Sequence, residues 1–163
     1  MSTRSTTHFI DSEFSQKPIA IVYRHTDGYP EGAGMDIMKF LRACKKLPDS
    51  RLNDPAYLAA KYVVFLADMF NNKFTKFEQA GVCDESHKPV KAGEYGYKRA
   101  ASKLDFLSVG ILQKDAGDIG YRYVIDCGKL VKGLPTVTCY AVSEEGMGIA
   151  YEEVKIPTRK AKR

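Results

Sequence analysis

A long apolar segment around residues 55–70 constrains the fold more than any other part of the sequence. Asp54 and Pro55 predict a helix start, because an aspartate at the N-cap and a proline in the first turn are favoured there. Apolar side chains then recur at helical spacing along one face: Leu58, Tyr62, Phe65, Leu66 and Met69. The rest of the surface is largely apolar as well, at Ala59, Ala60, Val63 and Val64. We expect this helix at the centre of the core, covered on more than one side and ending at Asn71 and Asn72.

Strand patterns flank the helical ones. Residues 18–23 form a short apolar, β-branched run that predicts a buried strand, and a helical pattern follows over 37–44. Alternation over 119–126 predicts a second strand, and further strands are expected over 107–111, 137–141 and 149–155. Residues 73–105 lack a clean period; a turn at 93–97 and a short helix over 98–104 are the elements expected there. This order predicts an α+β fold, with a mostly antiparallel sheet of four to five strands and two main helices packed on one face.

The distribution of charge and polarity predicts one domain with two appended segments. The chain has 163 residues, which is enough to bury a core. Residues 1–17 are rich in Ser and Thr and are expected to form a flexible or loosely docked arm, followed by a single globular domain over 18–154. Residues 155–163 form a tail with five basic and no acidic residues, and the remaining 20 basic residues equal the 20 acidic ones. We therefore expect only weak, salt-dependent binding of nucleic acid, through the tail.

Several common classes of protein are disfavoured. No apolar run is long enough for a membrane span and none follows Arg4 as in a secretory signal, so a cytoplasmic location is expected. The four cysteines lack metal-binding spacing and are expected to be small buried side chains. Cys127 and Cys139 are positioned to oppose each other across a hairpin, as thiols in a reducing cytosol. His8 and His87 lie in polar segments without paired ligand spacing, so neither a metal nor a cofactor is expected.

Residues 23–34 (YRHTDGYPEGAG) concentrate the unusual chemistry of the chain between a predicted strand and a predicted helix. Free N–H groups at a helix start suit a phosphate, and Arg24 would add a bidentate contact. However, the segment matches neither standard nucleotide motif, and Asp27, Glu31 and Asp36 would repel an anion. Phosphate binding is therefore only one of three interpretations.

The other two interpretations are catalysis and a structural turn. His25 with Asp27 would supply a base and its orienting carboxylate, and Tyr23 or Tyr29 a proton donor. Alternatively, the glycines and the proline only shape a tight turn over which the tyrosines pack. Exposed tyrosine and arginine side chains on such a rigid loop would also suit a protein interface.

The pattern Tyr-Arg-His-x-Asp-Gly-Tyr-Pro-x-Gly-x-Gly at residues 23–34 resembles one found in a group of small proteins from prokaryotes and their phages. Residues 117–123 (GDIGYRY) resemble a second segment of that group, although Gly120 stands where a larger residue is expected. The group has no assigned activity. The resemblance implies that the loop and the strand bearing Arg122 belong to one site, and that a phage member would act on host defence.

The sequence therefore predicts a non-enzymatic binding protein that recognises a protein partner or a small phosphorylated ligand. The predicted binding residues are Tyr23, Arg24, His25, Asp27, Tyr29 and Arg122. The alternative is a small hydrolase or phosphodiesterase that uses His25 and Asp27 together with Arg24.

Overall fold

The computed structural model describes residues 3–80, 82–83, 89–90, 109–114, 117–145 and 148–158, without side chains at 71–90 and 144–148. The chain divides into two compact units: the first is Met1–Val63 with Val109–Arg163, and the second is Val64–Ser108. The single globular domain over 18–154 stays a prediction. The turn at 93–97 and the helix over 98–104 lie outside the described residues. Every site discussed below lies in the first unit.

A mixed six-stranded sheet is the framework of the first unit. The elements follow in this order: β1 (Ser5–Asp11), β2 (Ser15–Arg24), a π-helical turn (Pro30–Gly34), α1 (Met35–Cys44), α2 (Pro55–Ala80), β3 (Val82–Cys83), β4 (Pro89–Val90), β5 (Val109–Leu112), β6 (Tyr121–Val131), β7 (Leu134–Glu145) and β8 (Gly148–Val154). The large sheet has the order β5-β2-β1-β6-β7-β8, and β3 pairs with β4. All neighbours in the large sheet are antiparallel except β1 and β6. The α+β class is confirmed, but the sheet has six strands rather than four to five.

The N-terminal segment is a central strand and not an arm. The sequence predicted a flexible or loosely docked segment over residues 1–17, whereas β1 lies between β2 and β6. Its first four side chains are polar and nevertheless buried: Ser5, Thr6, Thr7 and His8. A strand that is buried on both faces shows no alternation of polar and apolar residues, so periodicity cannot reveal it. Phe9 and Ile10 are the only apolar residues of this strand, too few for a recognisable pattern.

Helix α2 begins where it was predicted and continues further. The Oδ1 atom of Asp54 accepts hydrogen bonds of 3.1 Å from the backbone N–H groups two and three positions along the chain. The helix runs to Ala80 rather than ending at Asn71 and Asn72. Asparagine inside a helix costs only about 0.7 kcal/mol at most, which neighbouring turns readily offset. Val64 is 68% exposed, so the helix is covered on fewer sides than expected.

Tyr62 joins the sheet to both helices. Its buried ring packs against Phe9 of β1 and Phe40 of α1, with centroid distances of 5.8 and 5.1 Å. Helix α1 also contacts β7. Helix α1 and the beginning of α2 therefore cover the same face of the sheet, as predicted.

The three cysteines whose side chains the structure describes are buried thiols, but two of them are not placed as expected. Cys44, Cys127 and Cys139 are all free and buried. Cys139 lies opposite Tyr123 in the ladder between β6 and β7. The prediction that Cys127 and Cys139 oppose each other is therefore wrong, because the register of the hairpin separates them.

Burial of these thiols predicts a loss of stability at high pH. Burial is the main cause that raises the pKa of Cys127 to about 12 and that of Cys139 to about 11. In the unfolded chain a thiol ionises near pH 8.5, so the folded state keeps these thiols protonated up to a higher pH. The stabilisation is complete below that pH and is lost as the pH rises toward the folded pKa values. At pH 10 we expect each thiol to lower the free energy of unfolding by on the order of 1 kcal/mol. Urea denaturation at pH 7 and pH 10 measures this, and equal stability at both would contradict it.

The two faces of the sheet carry different chemistry, because successive side chains of a strand point to opposite sides. Phe9 contacts Tyr62 and so marks the covered face. Its register partner is Ala20, which places Val22 and Arg24 on the same side. The opposite side, called the outer face below, carries Thr6, His8, Tyr23, Arg122, Val124, Tyr140 and Tyr151.

Candidate functional site

Arg24 is a buried structural residue of the loop. Only 2% of it is exposed. Its Nε atom donates to the carbonyl oxygen of Thr26 at 2.7 Å, and its Nη1 atom donates to Oδ2 of Asp36 at 2.8 Å. Its Nη2 atom lies 4.0 Å from Oδ2 of Asp27. The guanidinium therefore links β2, the loop and α1.

Backbone contacts fix the shape of the loop. The N–H of Ala33 donates to the carbonyl of Asp27 at 2.8 Å, and Asp27 has a positive φ of 54°. The N–H of Gly28 donates to the carbonyl of Thr3 at 2.8 Å. The hydroxyl of Tyr123, on β6, donates to the carbonyl of Gly28, also at 2.8 Å. The structure thus brings together the two segments of the resemblance, through a hydrogen bond in the protein interior.

The start of α1 is poorly suited to an anion. The π-helical turn Pro30–Gly34 precedes the helix directly, and the N–H of Met35 donates to carbonyl oxygens within that turn. Asp36 lies in the first turn of α1 and Glu31 in the π-helical turn. Because this N–H group is paired and carboxylates surround it, the geometry does not favour phosphate at this position.

His25 and Asp27 each contact a tyrosine hydroxyl. The Nδ1 atom of His25 lies 2.9 Å from the hydroxyl of Tyr23. The hydroxyl of Tyr29 donates to Oδ1 of Asp27 at 3.5 Å, and the other carboxylate oxygen faces Arg24. In the predicted catalytic pair the carboxylate of Asp27 would orient His25, and here the hydroxyl of Tyr23 contacts Nδ1 of His25. Burial raises the pKa of Tyr23, so this phenol is neutral at physiological pH.

A cluster of arginine and tyrosine lies on the outer face. The Nη2 atom of Arg122 donates to the hydroxyl of Tyr151 at 2.5 Å, and its Cζ atom lies 4.0 Å from the centre of that ring. The ring of Tyr140 meets that of Tyr151 edge-on, with centroids 6.4 Å apart. These three residues, called the Arg122 cluster below, border a depression of about 370 Å³ together with His8, Ile10, Gln16 and Val124.

The predicted site residues are divided between the two faces. Tyr23, Thr6, Arg122 and Tyr140 occupy consecutive register positions across β2, β1, β6 and β7. Adjacent strands are about 4.8 Å apart, so the backbones at Tyr23 and Arg122 are separated by about 10 Å. Tyr23 and Arg122 thus share the outer face, whereas Arg24 lies on the covered face. Tyr140 and Tyr151 could not be predicted as site residues, because only the strand register brings them to Arg122.

In the described part of the chain, no group of three or more His, Cys, Asp or Glu residues is placed to hold a metal ion. Nor does any helix within the described ranges have the length and apolarity needed to cross a membrane. Comparison of the chain with protein-family models, curated proteins and solved structures gave no match. Fold and site together define an α+β protein whose mixed sheet carries an arginine–tyrosine cluster on its outer face.

The contact between Tyr123 and Gly28 predicts a measurable loss of stability. Tyr123→Phe removes the hydroxyl that donates to Gly28 and also contacts the thiol of Cys139. The buried carbonyl then lacks its donor, which we expect to lower the free energy of unfolding by about 1.5 kcal/mol. Tyr121→Phe on the same strand is the control, since Tyr121 is only half-buried. If urea denaturation showed the same loss of stability in both variants, the hydrogen bond from Tyr123 to the carbonyl of Gly28 would make no contribution of its own.

Proposed function

We propose that this protein is a non-enzymatic binding protein that recognises a protein partner through the part of the outer face that carries the Arg122 cluster. The Arg122 cluster would form the centre of the interface. The observation that carries the proposal is the stacking of Arg122 on Tyr151, which is 42% exposed at the edge of the sheet. Tyrosine and arginine supply most of the binding energy in many protein interfaces.

Preorganisation supports this role for the cluster. Arg122 is held by a hydrogen bond and by ring stacking, so it loses less conformational freedom when a partner binds. The neighbouring Tyr140 is half-buried, so part of this residue is exposed to a partner. A rigid aromatic surface with a fixed guanidinium favours a broad contact over the enclosure of a small molecule. The resemblance to phage proteins makes a host defence component the first partner to test.

A small phosphorylated ligand is the second candidate. Arg122 and His8 border the same depression, and a guanidinium favours phosphate oxygens. The two candidates predict different results in a thermal-shift screen of phosphorylated compounds. A ligand would raise the melting temperature of the wild type and leave that of Arg122→Ala unchanged, whereas a protein-binding surface gives no shift in either.

The test of the proposed function uses two matched arginine variants. Arg51 stacks on Tyr57 with its Cζ atom 4.1 Å from the ring centre, so it offers a second exposed arginine–tyrosine pair outside the sheet. A partner would be isolated with the wild-type protein as bait, and its affinity for each variant measured by calorimetry. We expect Arg122→Ala to weaken binding at least tenfold, because a central interface residue contributes about 2 kcal/mol or more. Arg51→Ala should bind as the wild type does. Undiminished affinity of Arg122→Ala would refute the proposal.

A further inference from the structure

A second cavity lies on the covered face of the sheet, away from the Arg122 cluster. It has a volume of about 490 Å³ and runs between α1 on one side and β7, β8 and residues 156–158 on the other. We call it the α1 groove. Its apolar walls are formed by Met35, Met38, Val137, Val154 and Ile156. Pockets that bind small molecules have volumes of about 300 to 1,000 Å³, so the α1 groove is large enough for one.

The walls of the α1 groove are held in place by the fold. Val154 pairs with Cys139 in the ladder between β7 and β8, and Cys139 is buried on the covered face. Ile156 packs directly over Gly34, where an added Cβ atom would lie 3.0 Å from its Cγ2 atom. The last glycine of the loop thus lets the chain after β8 approach α1 and close one side of the groove. Met35 and Met38 on the opposite wall have flexible side chains that adapt to the shape of a ligand.

The charge at the α1 groove is positive. Arg42 lies in the last turn of α1, borders the groove and is exposed. Among the described residues it has no hydrogen-bond or ion-pair partner. Lys155 also borders the groove, directly after β8. Glu153 borders it as well and offsets one of these two charges, so the lining carries one net positive charge.

We propose that the α1 groove binds a small amphipathic anion, such as a medium-chain carboxylate. The apolar chain would lie between the two methionines and the wall formed by Val137, Val154 and Ile156. The carboxylate would accept hydrogen bonds from Arg42, because the planar, positively charged guanidinium matches a carboxylate in geometry and charge. This site is separate from the outer face, and its test does not depend on the proposed protein partner.

Three octyl compounds that differ only in the head group test the ligand class. Octanoate, octan-1-ol and octylammonium would each be titrated into the full-length protein by calorimetry. We expect octanoate to bind most tightly and octylammonium most weakly, because only the anion complements Arg42. Equal affinities for the three compounds, or no binding of octanoate at millimolar concentration, would overturn the proposal.

Two charge variants of α1 then test the position of the head group. Arg42→Gln should weaken octanoate binding about tenfold, since it removes a charge-assisted hydrogen bond. Lys39→Gln removes the same charge from an exposed position of the same helix that does not border the groove, and it should leave the affinity unchanged. Methyl signals of Met35 and Met38 in NMR spectra should shift on titration. Equal weakening by both variants, or shifts confined to other parts of the protein, would show that octanoate does not bind in this groove.

Discussion

Replacing Arg24 by methionine is expected to lower the free energy of unfolding by about 3 kcal/mol, because it leaves a partly buried carboxylate without its partner. Arg24 is almost completely buried and donates to Asp36 and to the carbonyl of Thr26. The side chain of Asp36 is 25% exposed, so water can solvate its carboxylate once Arg24 is gone. The expected loss of stability is therefore at the lower end of the range for a broken buried ion pair. Urea denaturation followed by circular dichroism measures the change.

Arg51→Met is the matched control for this prediction. Arg51 donates to Asp49 at 2.9 Å, but both side chains are exposed. An ion pair of this kind contributes less than about 1 kcal/mol. The double variant Arg24→Met with Asp36→Leu should recover part of the stability lost by Arg24→Met alone, because it removes the unpaired charge. Similar effects of Arg24→Met and Arg51→Met would contradict the structural role assigned to Arg24.

Gly32→Ala is expected to lower the free energy of unfolding by about 3 kcal/mol, because it forces a side chain into the backbone of the loop. A Cβ atom at this position would collide with the carbonyl oxygen of Asp27, the same oxygen that accepts the hydrogen bond from Ala33. Backbone atoms cannot rotate away as a flexible side chain can. The substitution therefore breaks the turn that leads into α1.

Gly120→Ala is the control for the loop substitution. A Cβ atom on Gly120 would lie 3.5 Å from the Cγ2 atom of Thr3, which is an ordinary van der Waals contact. We expect the free energy of unfolding to change by less than about 0.5 kcal/mol. Differential scanning calorimetry of the two variants compares them directly. If Gly120→Ala lost as much stability as Gly32→Ala, close packing would not be the reason that the loop requires glycine at position 32.

The sequence identified the main elements because their patterns are local. The cap at Asp54, the strand at Tyr121–Val131 and the edge strand at Gly148–Val154 all appear close to their predicted positions. Strand β1 was missed because hydroxyl side chains of Ser5, Thr6 and Thr7 fill buried positions that apolar residues usually occupy. Polarity alone therefore misplaced the centre of the sheet.

The loop was located correctly, but the direction of its side chains was not predictable. Ile21 and Val22 are both buried, so the apolar run does not indicate which of Tyr23 and Arg24 faces the helices. The pairing of β2 with β1 determines which of these two side chains faces the helices. The same limit applies to Tyr140 and Tyr151, whose proximity depends on a register that is set by long-range pairing.

The most direct test of the account compares partner affinity and stability in Arg122→Ala and in the loop variant His25→Ala. We infer that the loop at residues 23–34 is a structural framework and that the outer face around Arg122 binds the partner. We expect Arg122→Ala to lose at least tenfold in affinity while its free energy of unfolding changes by less than about 1 kcal/mol. His25→Ala should retain affinity within about threefold, because a residue outside the centre of an interface contributes little. Full affinity of Arg122→Ala together with loss of binding in a folded His25→Ala variant would place the interface on the loop and contradict the claim.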